Sequence, residues 1–319
     1  MANNYILEFE KPIQELEDKL LELRSSSISG NDLSKDIAEL EQKRERLIRR
    51  IYGNLSRWQR VQLARHPKRP YSKDYIDYLS PDFLELHGDR FFRDDPAVIG
   101  GIGTIDGKSV LYIGQQKGRN TTENLYRNFG MMGPDGYRKA LRLMKMAEKF
   151  KLPIICLIDT IGAYPGIDAE ERGQGEAIAR NLFEMSLIAV PILIIVIGEG
   201  ASGGALGIGV GDRFLMLENT WFSVISPEGC ASILWHDAAK AAEAADAMRV
   251  TAADMLEMKI CDRIIEEPLG GAHRDARAMG AILRDIILEE LTGLEALDRA
   301  TLLQQRLERY DNIGSYSED

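Results

Sequence analysis

The stretch VPILIIVIGEGASGGALGIGVGDR, from Val190 to Arg213, decides the fold of this chain because a solid apolar run is followed at once by a glycine cluster. Six of the seven residues from Ile192 to Gly198 are aliphatic, which is typical of a strand buried on both faces. After it, glycines expose the backbone to close approach by a ligand; they are Gly198, Gly200, Gly203, Gly204, Gly207 and Gly209. The pattern predicts chemistry carried by backbone dipoles where this strand ends.

A similar unit precedes it. The apolar run LPIICLIDT, residues 152–160, ends in IGAYPGIDAEERGQGE, and a helix is predicted from about Gly173 to Leu187. A short glycine-rich link from a strand to a helix presents unpaired N–H groups at the positive end of the helix dipole, which suits a developing oxyanion. Glycine turns also serve only to pack a helix closely, so a non-enzymatic scaffold is an alternative.

The N-terminal third contains two further regions. Apolar stripes over residues 11–24 and 32–51 predict two amphipathic helices, with Asn31 or Asp32 as a helix cap, so residues 1–56 form a helical hairpin. Residues 57–95 are basic and interrupted by proline, and we interpret them as a segment wrapping the main domain. From Lys43 to Lys73 there are eleven Lys or Arg and a single Glu, which indicates a solvated face or a surface for an acidic partner.

The main domain is predicted over residues 96–300. It opens with AVIGGIGTIDGKSVLYIGQQKG, in which Asp106-Gly107 between two apolar runs predicts a β-hairpin. Two strands, RFLMLEN and WFSVIS, follow the glycine cluster, and residues 227–259 read as two or three short helices. IIEEP is expected to be an edge strand, residues 276–291 a closing helix, and residues 301–319 a C-terminal tail.

Composition restricts the function classes. With 45% hydrophobic and 28% charged residues and no apolar run near the roughly 18 residues of a membrane span, we expect a globular cytoplasmic protein without a secretory signal. The net charge of −10 disfavours nucleic acid as the main partner. The three cysteines form no CxxC pair, and the few histidines form no HxxxH or HExxH motif, so no metal site is expected.

Known motifs leave one enzymatic alternative. Gly200-Ala201-Ser202-Gly203-Gly204 satisfies GxSxG after a strand, so a crotonase-like or α/β serine hydrolase using Ser202 is a second hypothesis. Its base would have to be His236 or His273, the only histidines downstream. No glycine pattern continues into a dinucleotide-binding unit, and no P-loop is present.

Four quoted regions together indicate a family: the hairpin around DGK, LPIICLIDTIGAYPGIDAEERGQGEAIARNL, VPILIIVIGEGASGGALGIGVGDR and WFSVISPEGCASILW. Over its full length the chain resembles the alpha subunits of bacterial acetyl-CoA carboxylase carboxyltransferases. The resemblance implies an α/β, crotonase-like (ClpP/crotonase) superhelix of ββα units with an N-terminal helical hairpin. It also implies that the GxSxG serine is a turn residue and not a nucleophile.

The reaction implied by this resemblance is the first committed step of fatty acid synthesis. The carboxyl group of carboxybiotin, on a separate biotin carboxyl carrier protein, passes to acetyl-CoA and gives malonyl-CoA. ATP is used only by the partner biotin carboxylase. The family's active site lies between two crotonase-like halves, so the chain needs a zinc-ribbon beta subunit that holds most of the CoA, and a heterotetramer is expected.

The resemblance also assigns the site residues. It places the oxyanion hole for the biotin carbonyl on Gly203, Gly204 and Ala205, with Gly162 and Ala163 on the facing wall and Ser202 supporting the loop. On this basis Gly204→Val is expected to leave the subunit folded and assembled but poorly active.

The sequence leaves the roles of three cationic side chains undecided. Lys117 and Arg119, in a glycine-flanked loop, either meet a carboxylate or a CoA phosphate or are solvated loop charges, and Arg172 is an open case of the same kind. Asp159, at the end of a buried strand, is expected to cap its turn.

Overall fold

A computed structural model describes residues 5–28 and 33–314. Its centre is one eight-stranded sheet. The strands are β1 (Leu84–Glu85), β2 (Val98–Ile105), β3 (Lys108–Gln115), β4 (Ile154–Thr160), β5 (Ile192–Ala201), β6 (Arg213–Leu217), β7 (Trp221–Ser223) and β8 (Arg263–Ile265). The mixed α/β class expected from the sequence is confirmed.

Helices cover the sheet and extend from it. They are α1 (Lys11–Ile28), α2 (Ser34–Tyr52), α3 (Arg57–Ala64), α4 (Ser72–Leu79), α5 (Thr121–Tyr126), α6 (Pro134–Phe150), α7 (Ile167–Glu171), α8 (Gln174–Leu187), α9 (Ser202–Leu206), α10 (Pro227–Trp235), α11 (Ala241–Met248), α12 (Ala252–Glu257), α13 (Ala276–Glu295) and α14 (Arg299–Asp311). Single turns of 3₁₀ helix lie at Glu8–Glu10, Asn128–Gly130 and Ala238–Lys240. Among the described residues, no helix combines the length and the apolar content that crossing a bilayer requires.

The β-hairpin predicted at Asp106-Gly107 is confirmed. β2 and β3 run antiparallel, and the closing pair is Ile105 with Lys108. Asp106 has φ 51° and Gly107 has φ 83°, the positive values that a two-residue type I′ loop requires. The hairpin therefore opens the main sheet in the register that its turn residues dictate.

The remainder of the sheet is parallel and brings the two glycine turns together. β3, β4, β5, β6 and β8 lie side by side in that order, and β8 is at the edge. The second half of β5 leaves β6 and pairs with β7 at Glu199–Trp221. The carboxyl ends of β4 and β5 meet where Thr160 pairs with Gly200. The turns that follow these two strands are consequently neighbours.

β5 is buried on both faces, as its composition predicted. Ile192, Ile194 and Val196 point into a core that also contains residues of α6 and α8. The alternate residues Leu193, Ile195 and Ile197 join a second core beneath α4 and α13. Since each fully buried aliphatic side chain contributes about 1.5–3 kcal/mol, β5 is held firmly in place and can anchor the turn behind it.

The N-terminal helical hairpin is confirmed as α1 and α2. The two residues predicted to cap the second helix, Asn31 and Asp32, lie outside the described residues. In the structure Leu33 is the N-cap residue of α2. The hairpin is fixed to the main domain at its base, where Arg274 Nη1 donates to Glu17 Oε1 at 2.7 Å. The hairpin therefore contacts the main domain of the same chain.

Much of the basic segment is paired internally. Arg57 binds Asp254, Arg60 binds Asn219 and Arg69 binds Glu267, with donor–acceptor distances of 2.5 to 2.9 Å. Arg69 and Glu267 are both fully buried, and the attraction of Arg69 overcomes the effect of burial and lowers the pKa of Glu267 to about 2. These arginines therefore attach the segment after residue 56 to the domain it wraps.

The expected C-terminal tail is in part a helix. The boundary drawn at residues 300/301 falls inside α14, which packs on the domain through the fully buried Arg306. The Arg306 guanidinium binds Asp212 and donates to the carbonyls of Met185, Ile188 and Val190. A buried arginine with each donor engaged stabilises a helix whose own pattern is mostly polar.

His66 makes the fold sensitive to pH. Burial, reinforced by the neighbouring His273, lowers the pKa of His66 from 6.5 to about 4. Because the unfolded chain then binds a proton at higher pH than the folded chain, we expect the free energy of unfolding to fall as pH decreases from 6.5 to 4. Urea unfolding at several pH values measures this, and His66→Asn should flatten the slope. An unchanged slope in the variant would contradict the assignment.

Candidate functional site

The two glycine turns touch through their backbones. A Cβ atom built on Gly204 would lie 2.2 Å from the carbonyl carbon of Gly162 and 2.6 Å from the nitrogen of Ala163. No side chain can occupy that space, so glycine at 204 is required by close approach. The sequence-predicted residues Gly162, Ala163 and Gly204 are thus brought into direct contact.

The first turn leaves room beside this contact. Gly162 has φ +149°, and a Cβ atom there would meet nothing within 4 Å. Thr160 Oγ1 donates to the carbonyl of Gly162 at 2.8 Å and accepts its N–H, which fixes the glycine in this conformation. The turn therefore presents bare backbone to an open space.

The second turn begins with a sharp change of direction. Ser202 has a left-handed φ of 57° and starts α9 directly after β5. In an α-helix that starts there, the N–H of Ala205 bonds to the carbonyl of Ala201, whereas those of Ser202, Gly203 and Gly204 have no intrahelical acceptor. Among the three residues that the sequence predicts for the hole, Gly203 and Gly204 thus have N–H groups without a helical acceptor, whereas the N–H of Ala205 is bonded within α9.

Ser202 lacks the partners of a hydrolytic nucleophile. Its side chain is exposed and makes no hydrogen bond to any residue in the described ranges 5–28 and 33–314. Of the two candidate bases, His273 binds Glu10 at 3.1 Å, and His236 is exposed beyond the end of α10. The serine hydrolase alternative is not supported.

Lys117 is a buried structural cation beside the turns. Its Nζ donates to Asp159 Oδ1 at 2.7 Å and to Glu199 Oε1 at 2.8 Å. Burial alone would lower the pKa of Lys117, but the charges of the two carboxylates outweigh it and raise that pKa above its usual value. Arg65 Nε completes the group at 2.6 Å from Glu199 Oε2. Burial would raise the pKa of Glu199, and the two cations hold it below its usual value.

This charge cluster joins the ends of two strands. Asp159 is the penultimate residue of β4 and Glu199 lies in β5, and Asp159 Oδ1 also accepts the N–H of Glu199 at 3.0 Å. Asp159 therefore binds the neighbouring strand β5. The sequence had predicted instead that Asp159 caps its own turn. Its carboxylate fits there because a Cβ on Gly198 would lie only 2.3 Å from Asp159 Oδ1.

Arg119 and Arg172 are held by other parts of the chain. Arg119 donates to the carbonyls of Pro67 and Arg69, pairs with Asp74 and stacks on the ring of Tyr71. Arg172 binds Asp168 at 2.9 Å, and its guanidinium lies over the ring of Phe92. These contacts indicate that both arginines hold surface segments of the chain in place.

One cluster with metal-ligating side chains was not apparent in the sequence. Single ligand atoms of Glu10, His66 and His273 lie within 4.8 Å of one another. Glu10 Oε1 already accepts from Tyr52 and His273, and His66 Nδ1 accepts the N–H of Lys68. These bonds and the Arg274 guanidinium 3.4 Å from Glu10 Oε1 fit a polar junction better than a cation site.

Exposed apolar side chains follow the second turn along the chain. Val224, Ile233 and Leu234 are each more than 60% exposed, and they lie after β7 and on α10. β7 pairs with the part of β5 that leads into α9. Leu206, on α9 itself, is also exposed. An apolar surface of this kind, beside a candidate site, is typical of a protein–protein interface.

Comparison with known proteins gives consistent results. Residues 6–314 match the family described as acetyl co-enzyme A carboxylase carboxyltransferase-like. The acetyl-coenzyme A carboxylase carboxyl transferase subunit alpha of Chlorobium luteolum is 54% identical, with 100% of both chains covered. That of Methylococcus capsulatus is 56% identical over 98% of each chain.

Solved structures share the fold at low identity. The transcarboxylase 12S structure, with methylmalonyl-coenzyme A and methylmalonic acid bound, is 17% identical with a TM-score of 0.55, and the match covers 79% of this chain and 43% of that one. A Pseudomonas malonate decarboxylase hetero-tetramer in complex with coenzyme A is 17% identical with a TM-score of 0.58, covering 75% and 94%. The crotonase-like fold is confirmed.

Proposed function

Because the chain belongs to the family of acetyl-CoA carboxylase carboxyltransferase alpha subunits, we propose that its glycine turns form the biotin-side half of a shared active site. The carboxyl group would arrive as carboxybiotin on a separate carrier protein and pass to acetyl-CoA. The observation that carries the proposal is the contact of Gly204 with the Gly162–Ala163 peptide, which places two bare backbones at one point.

The N–H groups of Gly203 and Gly204 stabilise negative charge on the ureido oxygen of biotin as the carboxyl group leaves. They sit in the first turn of α9, where helix N–H groups lack acceptors. Donors aimed at developing charge are commonly the largest single contribution to catalysis, and each is worth about 3–4 kcal/mol of barrier. A Cβ on Gly162 would meet nothing within 4 Å, which leaves space beside the first turn for part of the biotin ring.

No side chain of this chain needs to act as a base. Proton transfer from the methyl group of acetyl-CoA to the departing biotin nitrogen would close the cycle, and Ser202 contributes through its left-handed backbone, with φ 57°, at the start of the turn. This chain supplies no metal, and ATP is consumed by a separate biotin carboxylase. Ala205 lines the turn through its buried position but keeps its N–H within α9.

The other half of the site would come from a zinc-ribbon beta subunit that holds most of the CoA. The exposed apolar residues Val224, Ile233 and Leu234 beside the second turn support such a partner, because a surface of this kind needs cover. The assembly would be a cytoplasmic heterotetramer that also contacts the biotin carboxyl carrier protein.

Reconstitution tests this function. Mixed with the beta subunit, the chain should catalyse carboxyl exchange between malonyl-CoA and biocytin, and neither chain alone should do so. Ser202→Ala should retain exchange within about 3-fold of the wild-type rate, since no covalent step uses the hydroxyl. Exchange by this chain alone, or loss of exchange in folded Ser202→Ala, would contradict the proposal.

A further inference from the structure

The side chain of Gln115 lies between the two turns. Gln115 is the last residue of β3 and is fully buried. Its Nε2 donates to the carbonyl of Gly204 at 2.7 Å, and its Oε1 accepts the N–H of Asp159 at 3.1 Å. Within residues 5–28 and 33–314, no other side chain binds the backbone of the second turn and the end of β4 in this way.

The bond to Gly204 replaces a missing helical one. α9 ends after five residues, and the carbonyls of Gly203, Ala205 and Leu206 accept backbone N–H groups of residues 207–209. Among the described residues no such bond reaches the carbonyl of Gly204, which lacks the usual helical partner. Gln115 supplies a partner at 2.7 Å, whereas the hydroxyl of Tyr137 lies 3.4 Å from the same oxygen. The amide of Gln115 is therefore the principal anchor of this carbonyl.

The carbonyl of Gly204 and its N–H lie in successive peptide planes, so anchoring the carbonyl restrains the N–H when φ and ψ of Gly204 are also confined. A residue has only two soft backbone dihedrals, and the contact of Gly204 with Gly162 leaves it little room to rotate. The second bond of Gln115, to Asp159, fixes the end of β4 from which the first turn starts. One amide thus sets the separation and direction of the two backbones.

We propose that Gln115 is a positioning residue for carboxyl transfer, holding the Gly204 carbonyl and the Asp159 N–H so that the N–H groups of Gly203 and Gly204 face the reacting oxygen. This inference rests on the proposed function. Gln115 does not touch the substrate, and it acts through the backbone of the second turn. Since misplacement of a catalytic group by about 1 Å can cost about 100-fold in rate, the effect is expected in kcat.

The test uses the complex reconstituted with the beta subunit. Gln115→Met keeps the length of the side chain and removes the amide, and we expect kcat for exchange to fall about 100-fold while KM for malonyl-CoA changes by less than about 2-fold. Asn181→Leu is the matched control, because Asn181 is an equally buried amide that donates to the carbonyls of Tyr137 and Gly207. It should lower thermal stability and leave kcat of the folded complex within about 3-fold.

A pH profile separates positioning from packing. Gln115→Glu keeps the acceptor for Asp159, and its donor returns only when the carboxyl is protonated, which burial favours. Its kcat relative to wild type should therefore rise as pH is lowered from about 8 to about 6, whereas that of Gln115→Met should not. Normal kcat in Gln115→Met, or equal losses in Gln115→Met and Asn181→Leu, would overturn the inference alone. Absence of exchange in the wild-type complex would overturn the proposed function and this inference with it.

Discussion

Gly204→Val is expected to lower carboxyl exchange by about 100- to 1000-fold and to destabilise the subunit as well. The first β-carbon already collides with the backbone of Gly162 at 2.2 Å, and backbone atoms cannot move aside as a flexible side chain can. The clash therefore adds a loss of stability to the poor activity that the sequence predicts for this variant. Exchange assays and thermal unfolding of the reconstituted complex measure both effects.

Two other glycines provide graded controls. A Cβ on Gly175, in α8, meets nothing within 4 Å, so Gly175→Ala should be as active as wild type and slightly more stable. A Cβ on Gly203 would lie 3.4 Å from Ile178 Cδ1, so Gly203→Ala should fold with only a small decrease in thermal stability. If Gly204→Val matched Gly175→Ala in rate, contact between the turns would be irrelevant to catalysis.

Lys117→Met is expected to lower the free energy of unfolding by about 3–5 kcal/mol, because it leaves the buried carboxylates of Asp159 and Glu199 without their shared cation. The same change should reduce exchange, since those carboxylates fix the ends of β4 and β5. Urea unfolding gives the stability, and the exchange rate of the assembled complex gives the activity.

Lys73→Met is the matched control for charge. Lys73 and Asp77 form an exposed pair one turn apart on α4, and such pairs contribute about 0.3–0.5 kcal/mol. If Lys117→Met lowered the free energy of unfolding no more than Lys73→Met does, the buried cluster would be unimportant for stability.

pH gives a second check on the cluster. In the wild type the pKa of Glu199 is lowered, so its ion pairs stabilise the fold above the usual 4.5 and lose that effect as pH falls further. Without Lys117 the burial of Glu199 is less compensated and its protonated form is favoured, so acidification should narrow the difference in free energy of unfolding between variant and wild type. If the difference in free energy of unfolding between Lys117→Met and wild type widened on acidification, Lys117 would not be the cation that stabilises Glu199.

Local patterns were sufficient for the sheet and for part of the site. Asp106-Gly107 determines a turn by its own dihedral preferences, and the aliphatic run of β5 has few alternatives to a buried strand. The glycine cluster after this strand indicates close approach of a backbone, and the family resemblance selects Gly204 within it. In each case the deciding physics lies within a few residues of sequence.

Features that depend on distant partners were not predicted. Lys117 pairs with residues 42 and 82 positions away, so the sequence could not separate a buried cation from a loop charge. Gln115 looked like a polar end to an apolar strand, although its amide binds across 44 and 89 positions. Helix α14 was missed because the residue that secures it, Arg306, is charged and would be expected on the surface.

The bonds of Arg306 also set an order of events during synthesis. Asp212 and the carbonyls before β5 leave the ribosome before Arg306, which lies 94 residues beyond Asp212. At about 5–20 residues per second, that interval is on the order of 10 s. During this interval the Asp212 carboxylate and the carbonyls before β5 lack their partner Arg306. Burying them would leave them without hydrogen bonds. A nascent chain that already contains both glycine turns should therefore stay accessible to proteases and chaperones until Arg306 has left the ribosome.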